Sequence, residues 1–286
     1  MVTRTAPSRL TARERARRTA RGGAPRSVPA PLLAPALIAV AFLVLPLAGL
    51  LVRAPWGHLG AALSGSDATQ ALVLSLWTST ITTGISVLIG VPLAWVLART
   101  SFPGQRLLRA LVTLPLVLPP VVGGVALLFA FSRVGMVGRY LDSWFGLTIP
   151  FTPLAVIMAQ TFVAMPFLII TVEGALRSAD QGFEEAAATL GASRMTVFRR
   201  VTVPLIAPSL GAGAVLCWAR ALGEFGATIT FAGSFPGQTE TMPIAVYYAL
   251  QTDPDAAIAL SLVLLLVSVV VLVSLRDRWL RGGAVS

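Results

Sequence analysis

Six long apolar runs, separated by short polar segments, organise the chain. They lie near residues 32–52, 70–98, 107–131, 153–176, 205–231 and 256–275. Each is close to or above the roughly 20 residues a helix needs to cross a hydrocarbon layer. The pattern predicts six membrane-spanning helices. The first run is too long for the apolar part of a signal peptide and has no small-residue cleavage site behind it, so it is read as a retained helix. Prolines inside the runs (Pro46, Pro92, Pro115, Pro119, Pro120 and Pro166) would break soluble helices. In a bundle they are tolerated, because neighbouring helices and side chains re-satisfy the freed backbone groups. At Pro119-Pro120, followed by Gly123-Gly124, a hinge or an unwound segment stands open beside a tolerated kink.

Composition agrees with a membrane protein and removes most enzyme chemistry. Of 286 residues, 56% are hydrophobic and 12% charged, with a mean hydropathy of +0.81. A soluble core of this length could not hide so much apolar surface. All 22 basic residues are arginine and none is lysine, so the chain has neither a P-loop lysine nor a Schiff-base lysine. One histidine (His58) and one cysteine (Cys217) leave no HExxH site, internal disulfide or thiolate metal cluster. No catalytic residue and no metal ligand is expected. An intramembrane protease or acyltransferase would need clustered Asp, His or Ser–His pairs, and the spans offer only Arg220 and Glu224.

The arginines also predict orientation. Eighteen fall in the segments that lie inside if the N-terminus is inside, and three (Arg53, Arg133 and Arg139) fall outside. Both termini are therefore expected in the cytoplasm. Residues 1–30 carry eight arginines and little apolar surface, and are read as a disordered tail lying against anionic lipid. Nucleic-acid binding and a transit peptide are the weaker readings of the tail. Residues 31–286 make the membrane domain, with no internal repeat and no second soluble domain.

The segment between the fourth and fifth runs, 178–204, is predicted to form two short helices. Asp180 can cap the first, with Glu184 and Glu185 in its opening turns, where acids suit the dipole. Ala186, Ala187 and Ala188 give it a small-residue surface. Gly191 suits a left-handed helix stop, and Ser193 can cap the second helix. That helix carries Met195, Val197 and Phe198 beside Arg194, Arg199 and Arg200, and Pro204 is expected to restart the chain as the fifth span. Glu185-Ala186-Ala187, then Gly191, then Val201-x-Val203-Pro204 resembles the EAA loop of bacterial ABC importer permeases. The family pattern ends Ile-x-Leu-Pro, so two aliphatic positions depart conservatively. An ordinary amphipathic helix on the membrane surface is the competing reading.

The fifth run holds two ionisable groups, Arg220 and Glu224, in Trp218-Ala-Arg220-Ala-Leu-Gly223-Glu224-Phe-Gly226-Ala-Thr228. Each costs at least about 2.5–3.5 kcal/mol at mid-membrane, so they should face the bundle interior or water. Their i, i+4 spacing lets them pair, and Gly223 and Gly226 weaken the helix and permit close approach. Two readings follow. Arg220 lines the path of an anion and Glu224 moderates its grip, or the pair is a structural lock or gate; the lock is preferred. Glu173 is expected at the interface, and the hydroxyls from Ser75 to Ser86 are expected to serve helix packing.

The run from Ala219 to Tyr248 also resembles the molybdate branch of these permeases, with the sulfate and thiosulfate branch sharing its Ala-Arg-x-x-Gly-Glu core. The resemblance covers about 70–275 and implies an all-α, six-span fold of the MetI-like, type I class. It implies a multi-pass permease of the bacterial inner membrane, working as a homodimer that imports molybdate or tungstate. It further implies two ATPase subunits that bind MgATP and an extracytoplasmic oxyanion-binding protein. No cofactor is expected in this chain, and nucleic acid is not an expected partner. The residues it assigns to ATPase coupling are Glu184, Glu185, Ala186, Ala187, Gly191, Arg199, Arg200, Val201 and Pro204. Those assigned to the path or gate are Arg220, Gly223, Glu224, Gly226 and Thr228. A sulfate permease and an ATPase-independent secondary transporter are the alternatives.

Overall fold

A computed structural model describes residues 30–57, 60 and 66–282, so the arginine-rich tail at 1–29 and His58 lie outside the described residues. The chain falls into two units divided between Val52 and Arg53. The first contributes α1 (Ala30–Val52), which exposes Leu37, Ile38, Phe42 and Leu45. A helix apolar on all sides suits a lipid surrounding.

In the second unit, every regular element among the described residues is a helix. Its centre is α2 (Ser66–Arg99) packed along α6 (Pro153–Ser178), with the later α9 (Val203–Leu222) against both. Ser75, Thr78, Ser79, Thr82 and Ser86 are fully buried on α2. Thr82 Oγ1 lies 3.3 Å from the Ile157 carbonyl and 3.2 Å from Gln160 Oε1, and Ser75 Oγ accepts from the Met242 N–H at 2.7 Å. Small hydroxylated side chains let membrane helices approach closely, and packing is the use this fold makes of them. Toward the Arg99 end the seam becomes aliphatic, with Leu97, Leu168, Ile169, Leu176, Ile206 and Ala221 buried together.

Two of the six apolar runs are not single helices. The third divides into α3 (Gln105–Val117) and α4 (Pro120–Phe131), which meet at 116°. Pro119 and Pro120 withdraw two consecutive N–H donors, and Leu118 and Pro119 take extended ψ of 131° and 130°. The fifth run ends at Leu222, is interrupted at Gly223–Phe225, and resumes as the short α10 (Gly226–Ala232). A continuous helix over 205–231 is therefore not what forms.

The fifth span also starts earlier than its hydropathy suggests. After α7 (Gly182–Thr189), α8 (Arg194–Val197) runs through a π turn (Phe198–Thr202) into α9, making one rod from Arg194 to Leu222. Pro204 does not restart the chain. The widened turn precedes a residue that lacks the N–H for a regular ladder bond, and Val203 N bonds back to the Phe198 carbonyl instead. Two helices occur where only connections were expected, α5 (Gly138–Phe145) and α11 (Met242–Thr252), before the last span α12 (Pro254–Gly282). Among the described residues, five helices are long and apolar enough to cross a membrane, or six if the bent α3–α4 pair counts as one span.

Candidate functional site

The segment after α6 is shaped by local capping. Asp180 Oδ1 accepts from the Gly182 N–H at 2.9 Å, but Gln181 holds the cap position, so Asp180 sits one residue ahead of the place it was expected to fill. At the other end Gly191 has φ +84°, Gly191 N bonds to the Ala188 carbonyl, and Ala192 N bonds to the Ala187 carbonyl. This is a Schellman stop, and it needs the left-handed residue that only glycine supplies cheaply. Ser193 Oγ then accepts from Thr196 N at 3.2 Å and opens the rod. Glu185, Ala186 and Arg199 and Arg200 face solvent, Ala187 and Val201 are half-buried, and Pro204 is exposed. Phe183, Leu190 and Met195 add an exposed apolar surface around them; Leu190 is 89% exposed.

Glu184 turns the other way. Its Oε1 lies 2.9 Å from Arg99 Nη2 and accepts from Thr202 Oγ1 at 3.0 Å. A neighbouring acid, Glu173, is buried. Its Oε1 meets Arg109 Nη2 at 2.9 Å and Arg177 Nη2 at 3.0 Å. The Leu97 carbonyl, one of the orphan acceptors at the end of α2, takes Gln105 Nε2 at 2.8 Å and lies 3.3 Å from Arg109 Nη2 and 3.4 Å from Arg177 Nη2. Arg99, Arg109, Arg177 and Thr202 were not singled out from sequence. Their only signal is that basic residues end apolar runs, which says nothing of a partner 85 positions away.

At the opposite end of the rod, Arg220 Nη2 lies 2.7 Å from Glu224 Oε2. Glu224 is 1% exposed, while 28% of the Arg220 side chain remains open. Because α9 ends at Leu222, the pair is not made along a continuous helix face; Glu224 sits in the break. Its second oxygen accepts the Ala227 N–H at 2.8 Å, satisfying one of the free donors at the start of α10. Gly226 is buried against the start of α4: a Cβ there would lie 3.0 Å from Pro120 Cβ. A Cβ on Gly124 would lie 2.7 Å from the Ala227 carbonyl oxygen. The breaks in the two divided runs thus pack against each other through reciprocal glycines. Gly223 is exposed, and Thr228 is buried with no hydrogen-bond partner for its hydroxyl.

Apolar spans, two broken helices meeting beside a buried ion pair, and a capped segment anchored at the far end of the same rod describe a membrane-embedded helical bundle. The family described as binding-protein-dependent transport system inner membrane component matches residues 86–282. The molybdenum transport system permease protein ModB of Mycobacterium bovis is 48% identical over 254 residues, covering 89% of this chain and 96% of that protein. The sulfate transport system permease protein CysT of Salmonella typhimurium is 35% identical over 245 residues, covering 84% of this chain and 88% of that one. A crystal structure of a bacterial alginate ABC transporter, in complex with a pentasaccharide-bound periplasmic protein, contains a chain of the same fold. Its TM-score is 0.70 at 20% identity, over 88% of this chain and 94% of that one. This chain belongs to the permease family of binding-protein-dependent ABC transporters.

Proposed function

We propose that this permease carries molybdate or tungstate into the cytoplasm. The observation that carries the reading is the near-full-length match to a molybdenum permease at 48% identity, against 35% to a sulfate permease. In this reading residues 31–286 form the permease domain and 1–30 a tail against anionic lipid. Two copies form the path, two ATPase subunits bind MgATP and dock on 178–204, and an external binding protein delivers the anion. The chain itself performs no hydrolysis. The arginine bias supports cytoplasmic termini and a cytoplasmic α7.

The chemistry of the break supports a gate. Closure of the ATPase dimer moves α7, and the rod from Arg194 to Leu222, 29 residues long, carries that movement about 44 Å at 1.5 Å per residue. At its end Glu224 neutralises Arg220, so the guanidinium is free to draw a dianion only when the pair separates. A path that held the anion tightly would release it slowly, so weak successive contacts suit transport. Selection then rests mainly with the external binding protein. The reconstituted complex, with that protein, should hydrolyse ATP faster with molybdate or tungstate than with sulfate. Equal stimulation by sulfate would move the assignment to the sulfate branch.

A further inference from the structure

The two adjacent acids of α7 divide into an outward and an inward one. Glu185 is exposed, whereas the Glu184 side chain is 18% exposed and engaged with two elements at once. Arg99, the last residue of α2, is 6% exposed in its side chain, and its Nε and Nη1 are buried with no hydrogen-bond partner. Glu184 is thus the one carboxylate within ion-pair distance of that guanidinium among the described residues. The same carboxylate oxygen accepts from Thr202, on the π turn within the rod that leads to Arg220. Trp95 of α2 packs edge-on against Phe198 of the same turn at 6.3 Å, so α2 and the turn touch beside this junction.

We propose that Glu184 is a positioning residue, not a docking contact: with Arg99 and Thr202 it clamps α7 to α2 and to the rod, so that displacement of α7 moves both. The inference rests on the proposed coupling role of 178–204. A capped eight-residue helix joined to the bundle only by its flanking turns could tilt without moving the spans. A buried cation with a single counter-charge ties it firmly, because separation would leave Arg99 uncompensated. The clamp therefore sets how much transport each hydrolysed ATP yields.

The test uses the full reconstituted complex and reads anion uptake per ATP hydrolysed. Glu184→Gln, Arg99→Gln and the double variant should retain co-purifying ATPase yet lower that ratio, each single by about tenfold, with the double no worse than either single. Thr202→Val removes one hydroxyl from the same carboxylate, perturbs folding least and should lower the ratio by about threefold. A role in stability alone would lower the yield of complex and leave uptake per ATP unchanged, and that result in Thr202→Val overturns the clamp. Additive losses in the double variant also overturn it. Failure of the unmodified chain to co-purify with an ATPase would instead overturn the coupling reading, a separate outcome.

Discussion

Glu224 lies 2.7 Å from Arg220 even though the helix that carries Arg220 has already ended at Leu222. The carboxylate closes two valences together, the guanidinium behind it and the Ala227 N–H ahead of it. One side chain therefore sets both the ion pair and the start of the next helix.

Removing either partner should have unequal effects. Arg220→Gln leaves a carboxylate that is 1% exposed without its counter-ion, a loss of up to about 3–5 kcal/mol. Glu224→Gln leaves an arginine that is 28% open to its surroundings, so its cost is smaller. Both singles should impair transport or assembly, Arg220→Gln more severely, and the double variant should recover much of the loss. A double-mutant cycle on transport rate measures the coupling; no coupling between the two positions would exclude the lock and favour direct contact of Arg220 with the anion.

Gly124 packs where no Cβ fits. Alanine there would place its methyl 2.7 Å from the Ala227 backbone carbonyl, and backbone cannot rotate aside. Gly124→Ala should cost roughly 1–3 kcal/mol through overpacking. Gly174→Ala is the comparison, because nothing lies within 4 Å of a Cβ at that site. Thermal stability of the detergent-purified permease separates the two, and equal stability would refute the reciprocal packing of α4 and α10.

Gly191 presents the opposite case, open space and a demanding backbone. Nothing lies within 4 Å of its Cβ position, but φ is +84°. Gly191→Val should cost about 1–2 kcal/mol locally in the left-handed conformation, leave the protein in the membrane and abolish transport. Glu185→Lys should weaken ATPase retention by reversing charge at the helix start. Pull-down of the ATPase together with uptake checks both, and normal values in both variants would remove the coupling assignment of this segment.

Topology gives an independent check. Reporter fusions after residues 104, 190 and 282 should read cytoplasmic, and those near 142 and 245 external. An external 178–204 would end the coupling reading.

Much of this molecule is written locally. Six apolar runs announce the spans because a side chain's preference for lipid does not depend on its neighbours. The stop at Gly191 and the cap at Ser193 follow from backbone conformation within a few residues, and the Arg220–Glu224 pair follows from close spacing. The class, the capped segment and the paired charges are thus legible along the chain. Tertiary structure decided where helices stop. Pro119-Pro120 allowed either a kink or a break, and packing of Gly124 and Gly226 across the two breaks accompanies the 116° bend of the third run. It also decided which charges meet. Glu173 with Arg109, and Glu184 with Arg99, pair across 64 and 85 positions of chain. Such pairs depend on how helix ends are brought together, and no local periodicity encodes that.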